Sequence, residues 1–190
     1  MYYTYITMKS QPKKPTLLYV VTQGHWGGAQ MYIHSLITRL TDDFDIHIAI
    51  GAGEKNNDLA NTLANIVPIH ELDHLKRAIS PIHDTLALLE LHKLYKTIQP
   101  DIIHLNSTKA GILGSIASAG CNNAKVVYTV HGWVFHEPLP KMKKVVYKAL
   151  EAYSSKHKDA IITLSPQDSH VGKQLVKKHT TITEIPIGIT

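Results

Sequence analysis

The stretch Leu17-Leu18-Tyr19-Val20-Val21-Thr22-Gln23-Gly24-His25-Trp26-Gly27-Gly28-Ala29-Gln30 decides the fold. An apolar run of strand length breaks at Thr22 into a glycine-punctuated turn. A helical pattern follows, with Ile33, Leu36, Ile37 and Leu40 at i, i+3, i+4 and i+7. Glycine lets the backbone turn tightly and approach a ligand closely. A helix opening there presents free N–H groups and a positive dipole end, which suit phosphate. The Gly24-x-x-Gly27-Gly28 spacing is neither the dinucleotide fingerprint nor a Walker loop. No acidic residue closes the second apolar run to hold a ribose, which counts against a nicotinamide-dependent oxidoreductase. A plain strand-to-helix turn without a ligand is the bland alternative.

The same alternation continues outward along the chain. Further short Val/Ile-rich runs lie at residues 45–50, 66–69, 101–105, 125–130, 159–164 and 182–187. They alternate little, as strands buried on both faces do. Between them, Leu91, Leu94, Tyr95 and Ile98 repeat at helical spacing. Ser107 or Thr108 can cap a helix through Gly120, and Ser165-Pro166 can open one to about Lys178. Pro100 ends the helix before it. Strand–helix alternation at this spacing predicts an α/β, Rossmann-like parallel sheet with helices on both faces. Ligands then bind at the carboxyl ends of the strands.

Composition narrows the class. A chain of 190 residues with 44% hydrophobic and 18% charged residues can build a core. No apolar run approaches the roughly 20 residues that span a bilayer. Residues 1–15 are polar, lack the apolar segment of a secretory signal and are expected to be a disordered tail. One cysteine, Cys121, rules out an internal disulfide and fits a cytoplasmic location. The net charge of +5 comes almost wholly from lysine, Arg39 and Arg77 being the exceptions. That favours diffuse attraction to phosphate or anionic lipid over arginine-fork reading of nucleic-acid bases.

Candidate residues stand just past the strands. His131, beside Gly132 and Trp133 and followed by His136, can donate, accept or titrate near neutrality, or simply pack. Asn106, Ser107 and Lys109 follow the fourth run, Ser107 being the natural helix cap. Arg77 is a candidate anion contact or a surface ion pair. Gln23, His25 and Trp26 fill the first turn. Gly111 and Gly114 allow close helix packing.

Four blocks in this order resemble the N-terminal domain of glycosyltransferase family 4, in the subgroup that builds bacterial capsule, exopolysaccharide and O-antigen. They are Gly27-Gly28-Ala29-Gln30; Leu75 with Arg77-Ala78-Ile79-Ser80-Pro81 through Asp84; Pro100-Asp101-Ile102-Ile103-His104 with Ser107 through Gly114; and Tyr128-Thr129-Val130-His131-Gly132-Trp133 with Phe135. Residues 185–190 resemble the family's interdomain linker, with Ile187 for the usual Asn and Thr190 for the usual Asp. The resemblance implies the acceptor-side half of a two-domain GT-B enzyme, residues 16–184. Such an enzyme is retaining and metal-independent and needs no cofactor. It moves a sugar from a nucleotide-sugar, UDP- or GDP-linked, to a saccharide or polyprenyl-linked acceptor. By the same resemblance, Gly27 and Gly28 reach the donor diphosphate and His131 is the catalytic-site histidine. Gln23, His25, Trp26, Arg77, Asn106, Ser107, Lys109, Gly132, Trp133 and His136 line the donor/acceptor cleft. The family's paired glutamates belong to a C-terminal domain, and Glu54, Glu71, Glu90, Glu137, Glu151 and Glu184 include no such pair. This chain is therefore expected to be inactive alone. A stand-alone nucleotide- or sugar-binding module, or the partner of a split enzyme, is the rival reading.

Lys141, Lys144 and Lys148 share one face of a helix expected over 138–156, whose apolar side carries Met142, Val145, Val146, Ala149 and Tyr153. An ordinary helix packs that apolar side inward. The sharper reading is peripheral docking on an anionic membrane, where each nearby lysine contributes about 1 kcal/mol. His70-Glu71-Leu72-Asp73-His74 matches the zinc-protease pattern, but it follows a short strand and has no third ligand in register, so it is read as coincidence.

Overall fold

The computed structural model describes residues 13–52, 57–121, 123–176 and 179–188. Most of the expected tail, residues 1–12, lies outside them, as do Ile189 and Thr190 of the linker.

Among the described residues, seven parallel strands form one sheet: β1 (Thr16–Val21), β2 (Asp45–Gly51), β3 (Ile69–Leu72), β4 (Ile102–Asn106), β5 (Lys125–Val130), β6 (Ala160–Thr163) and β7 (Thr181–Glu184). Their order is β3-β2-β1-β4-β5-β6-β7. Six α-helices among the described residues connect them: α1 (Gly28–Leu40), α2 (Asp58–Leu63), α3 (Pro81–Ile98), α4 (Thr108–Ala117), α5 (Lys141–Ser154) and α6 (Pro166–Leu175). The order reverses between β1 and β4, where Val21 stands beside both Ile50 and Asn106. That reversal opens a crevice at the carboxyl ends of the two strands.

The core explains why the strands carry so little polar alternation. All six β1 residues are buried. Leu17, Tyr19 and Val21 pack with Ile33 and Ile37 of α1 and with Leu59 and Leu63 of α2. Leu18 and Val20 pack on the other face with Leu91 and Tyr95 of α3 and Leu113 of α4. One strand thus feeds two cores with its period of two. Gly111 and Gly114 let α4 lie directly on the sheet. A Cβ at Gly111 would sit 2.6 Å from the Tyr128 ring, and one at Gly114 would sit 2.5 Å from Leu105.

Several element boundaries differ from the sequence expectation. The third strand begins at Ile69 because Pro68 has no N–H to give a ladder. The Ile66 and Val67 amides turn back onto Leu63 O at 2.8 and 3.0 Å, and Pro68 O accepts the first ladder bond, from Ile48 N. The His-Glu pair of the zinc-like motif therefore lies in a strand. Its two histidines bond different partners, His70 facing His47 and His74 facing His83. A zinc-protease helix face is not formed. Helix α3 stops where Gln99 turns left-handed (φ 51°) before Pro100. Helix α4 ends at Ala117 rather than Gly120, and α6 at Leu175, with Lys178 outside the described residues. Helix α5 starts three residues after Pro138 and passes into a one-turn 3-10 helix, Ser155–His157. No helix among the described residues is long and apolar enough to cross a membrane.

Candidate functional site

A cleft of about 540 Å³ opens at the switch point. One wall is the β1–α1 turn with Thr22, Gln23, His25, Trp26 and Gly27; the floor is Ser107, Lys109 and the first turns of α4; His131 and Gly132 close the end of β5. Arg77 and Ile79 overhang it from the β3–α3 loop. Four chain segments scattered over the sequence thus meet where the topology alone predicts a ligand.

The turn is fixed from behind. Gly24 O accepts from Leu59 N at 2.8 Å, and Trp26 N donates to Asp58 at 3.2 Å. Gln30 Nε2 donates to Gln23 O at 2.9 Å. Gly27 is the extended N-cap and Gly28 the first helical residue of α1. No side chain among the described residues caps this end, and no acidic residue stands in its first turn. The first-turn amides therefore keep the donors and the positive end that favour an anion. Trp26, half-exposed at the rim, rests edge-on against His34.

The floor carries strain. Ser107 has φ 100° and ψ 149°, a region that is ordinarily glycine's. Its hydroxyl meets Thr22 Oγ1 at 2.7 Å across the switch point and accepts from Ala110 N. The capping role read from sequence is thus real, and the same oxygen ties β1 to β4.

His131 sits over a buried polar chain. Asn106 Nδ2 donates to His104 O at 3.1 Å, which turns its Oδ1 toward His131 Nε2 at 3.2 Å. That nitrogen therefore carries the ring proton, and Nδ1 keeps a lone pair. Burial pushes the His131 pKa down to about 4, so the ring is neutral at pH 7. Beneath it, His104 bonds Thr129 Oγ1 at 2.7 Å, and burial pushes its pKa down to about 3, with His131 adding to the effect. Tyr32 meets the His131 ring edge-on at 5.2 Å. Gly132 at φ 97° makes the turn that frees the chain after His131.

Lys109 does not offer its charge to a ligand. Its ammonium pairs with Asp84 at 2.6 Å, donates to Lys76 O at 2.7 Å, and also donates to Ala78 O. Asp84 in turn accepts from Ser80 N, and Ser80 caps α3. The Ser80-Pro81 to Asp84 block is therefore a structural clasp. It leaves Arg77 at the loop's tip, exposed, in the cleft and, among the described residues, without an ion pair or hydrogen bond.

Two expected cleft residues go elsewhere, and a third acts from beneath. Trp133 is core: it is 2% exposed, stacks on Phe135 and donates from Nε1 to Asp168 O. An indole with a buried acceptor packs better than it binds. His136 is exposed and rests on Phe135 outside the cleft. Asn106 is fully buried and touches the site only through His131.

The apolar half of the cleft escaped the sequence reading. Ile112, Leu113, Val134, Leu139, Val146 and Leu150 line it. The signal lay in α5, which is turned inside out. Its fully buried residues are Glu151 and Ser154, with half-buried Tyr147 packed against the core beside them. Met142 (75% exposed), Val145 (62%), Val146 and Tyr153 face out. Glu151 holds that orientation through Lys158, at 2.9 Å, and the Tyr128 hydroxyl, at 3.3 Å, with the Lys158 ammonium over the Tyr128 ring. Burial pulls the Lys158 pKa down, against the pull of Glu151. Lys141 and Lys148 flank the outward stripe, and Lys144 lies toward the protein.

Residues 17–165 match the family model described as "Glycosyl transferase 4-like". The chain belongs to that family. This family member is 35% identical over 149 residues to the UDP-Gal:alpha-D-GlcNAc-diphosphoundecaprenol alpha-1,3-galactosyltransferase of Escherichia coli, covering 78% of this chain and 38% of that protein. It is 29% identical over 90 residues to the capsular polysaccharide biosynthesis glycosyltransferase CapM of Staphylococcus aureus, covering 47% of this chain and 22% of that one. Its fold matches Anabaena HepE, solved in complex with UDP, with TM-score 0.69 at 16% identity over 92% of this chain and 44% of HepE. The chain thus spans less than half the length of these relatives.

Proposed function

We propose that this family member is the acceptor-side domain of a retaining, metal-independent glycosyltransferase acting in cell-surface polysaccharide synthesis. The donor is a nucleotide-sugar, and the acceptor is a lipid-linked saccharide. The observation that carries the reading is the switch-point cleft, where an uncapped helix N-terminus, neutral His131 and unpaired Arg77 converge. Gly27 and Gly28 face the donor diphosphate with backbone amides. His131 stands by the transferred sugar and the acceptor hydroxyl. The hydroxyl oxygen bonds to the anomeric carbon as the bond to the diphosphate breaks. The leaving diphosphate oxygen takes the proton on the same face. The groups that neutralise that leaving diphosphate come from a donor-side half outside residues 1–190, and stabilising it is the largest expected catalytic contribution. The E. coli relative, whose name specifies a diphosphoundecaprenol-linked acceptor, supports the acceptor class.

The test is transfer of radiolabel from UDP-galactose to a GlcNAc-diphosphopolyprenol by the chain joined to a donor-side half. His131→Ala is expected to lower the rate at least ~100-fold. Full transfer by residues 1–190 alone, or no effect of H131A, sinks the assignment.

The outward apolar stripe of α5 between lysines supports peripheral docking on the inner face of the plasma membrane. Pelleting with vesicles reports it: binding to anionic but not neutral lipid is expected, and equal binding removes the lysines from the account.

A further inference from the structure

The cleft has two chemistries, and the sugar-transfer reading uses only one. A saccharide presents hydroxyls, and a nucleotide-sugar adds phosphates and one flat base with polar edges, not a hydrocarbon chain. Neither satisfies a wall made of Ile112, Leu113, Val134, Leu139, Val146 and Leu150. An apolar wall in a ligand cleft matches an apolar part of the ligand. Val146 and Leu150 also belong to the exposed surface of α5, so the wall runs without interruption from the cleft to the outward stripe. At the cleft's other side Arg77 offers an unpaired guanidinium, a fork suited to two phosphate oxygens. Lys109, the other cation lining the cleft, is held by Asp84 and two carbonyls.

We propose that the apolar wall holds the first isoprenoid units of the lipid-linked acceptor while Arg77 holds its diphosphate, so that the acceptor enters along α5. This rests on the transferase reading for the acceptor class and adds a subsite that recognises the lipid itself. The occupant is a hydrocarbon chain carrying an anion at one end. Lysines flank the stripe, an arginine without a partner among the described residues lies in the cleft, and α5 exposes no acidic residue, Glu151 being buried; the one exposed carboxylate lining the cleft among the described residues is Glu137, just before α5.

The test is titration of the 190-residue chain with farnesyl diphosphate, farnesol and inorganic diphosphate, read by the fluorescence of Trp26 at the cleft rim against a Trp26→Phe control. Farnesyl diphosphate is expected to bind at least tenfold tighter than either fragment. Leu150→Gln should weaken farnesyl diphosphate and farnesol alike by tenfold or more. Arg77→Ala should weaken farnesyl diphosphate and leave farnesol unchanged. Met142→Ser and Val145→Ser, on the stripe but outside the cleft, should lower vesicle binding without moving farnesyl diphosphate affinity. Circular dichroism melts confirm that each variant is folded. Inorganic diphosphate binding as tightly as farnesyl diphosphate, or L150Q within twofold of wild type, overturns the subsite. No isoprenoid binding at all overturns it too and leaves the wall to a polypeptide partner. Lost sugar transfer with isoprenoid binding intact would instead sink the transferase reading and leave this one standing.

Discussion

Replacing Lys158 with methionine tests what holds α5 in its inverted orientation. The ammonium is buried, 2.9 Å from Glu151 and 3.0 Å from Ser154 Oγ, with the Tyr128 ring centroid 4.4 Å away. Met fills similar space but leaves the buried Glu151 carboxylate with the Tyr128 hydroxyl, at 3.3 Å, as its one remaining side-chain donor among the described residues. Removing one partner of such a pair costs about 3–5 kcal/mol. For a chain of this length that lowers the Tm by roughly 6–20 °C. The double variant Lys158→Met/Glu151→Leu removes both charges, and a buried pair replaced by apolar groups is often neutral or better. What remains is the Tyr128 hydroxyl without its carboxylate, a deficit of ~1 kcal/mol that adding Tyr128→Phe should recover. Urea unfolding of the wild type, both single variants and the double variant closes the cycle. A K158M loss under about 1 kcal/mol, or a double variant as unstable as the two singles summed, would refute the polar lock.

Acid should weaken the fold through two histidines. His131 and His104 have folded pKa values near 4 and 3, below the ordinary value of about 6.5, so the unfolded chain binds more protons as pH falls through 6.5. Stability present at pH 7 is then lost toward pH 4, on the order of 5 kcal/mol in all; urea midpoints that stay flat over that range, or that decline equally in His131→Gln, contradict this. At pH 7, nitrogen-15 spectra should show His131 protonated on Nε2, and Asn106→Asp should raise its titration midpoint by placing a carboxylate at the same contact. Gly111→Ala forces a methyl group against the Tyr128 ring and should cost ~1–3 kcal/mol, seen as an earlier urea midpoint. Lys109→Met should speed amide exchange across residues 76–80 while leaving β1 and β4 protected, because it cuts the clasp and not the sheet.

The architecture was readable because β1, β4 and β5 state it locally. Each is an unbroken apolar run ending in a polar turn residue, and the two-core packing of β1 needs nothing more. β3 was misplaced because Ile66 and Val67 look like strand residues, while the missing N–H of Pro68 decides where the ladder can start. The site was readable at Gly27, Ser107 and His131, whose positions follow from topology. It was not readable at Lys109 and Trp133, since residue type does not say whether a charge is already clasped or an indole already buried. Nor was the apolar wall. Periodicity gives the angle between the two faces of α5, but only the Glu151–Lys158 contact says which face turns inward.

The proton on His131 also sets a direction for ligand chemistry. The ring's one N–H is committed to Asn106, so any atom meeting its remaining nitrogen must bring a hydrogen. A sugar hydroxyl or an amino group can do that. A fluorine or a carbonyl oxygen in the same place sets lone pair against lone pair. Under the proposed transferase function, analogues in which single hydroxyls are replaced by fluorine would therefore map the sugar position that meets the imidazole, the one intolerant position identifying itself. An aminodeoxy sugar at that position would be the starting point for an inhibitor.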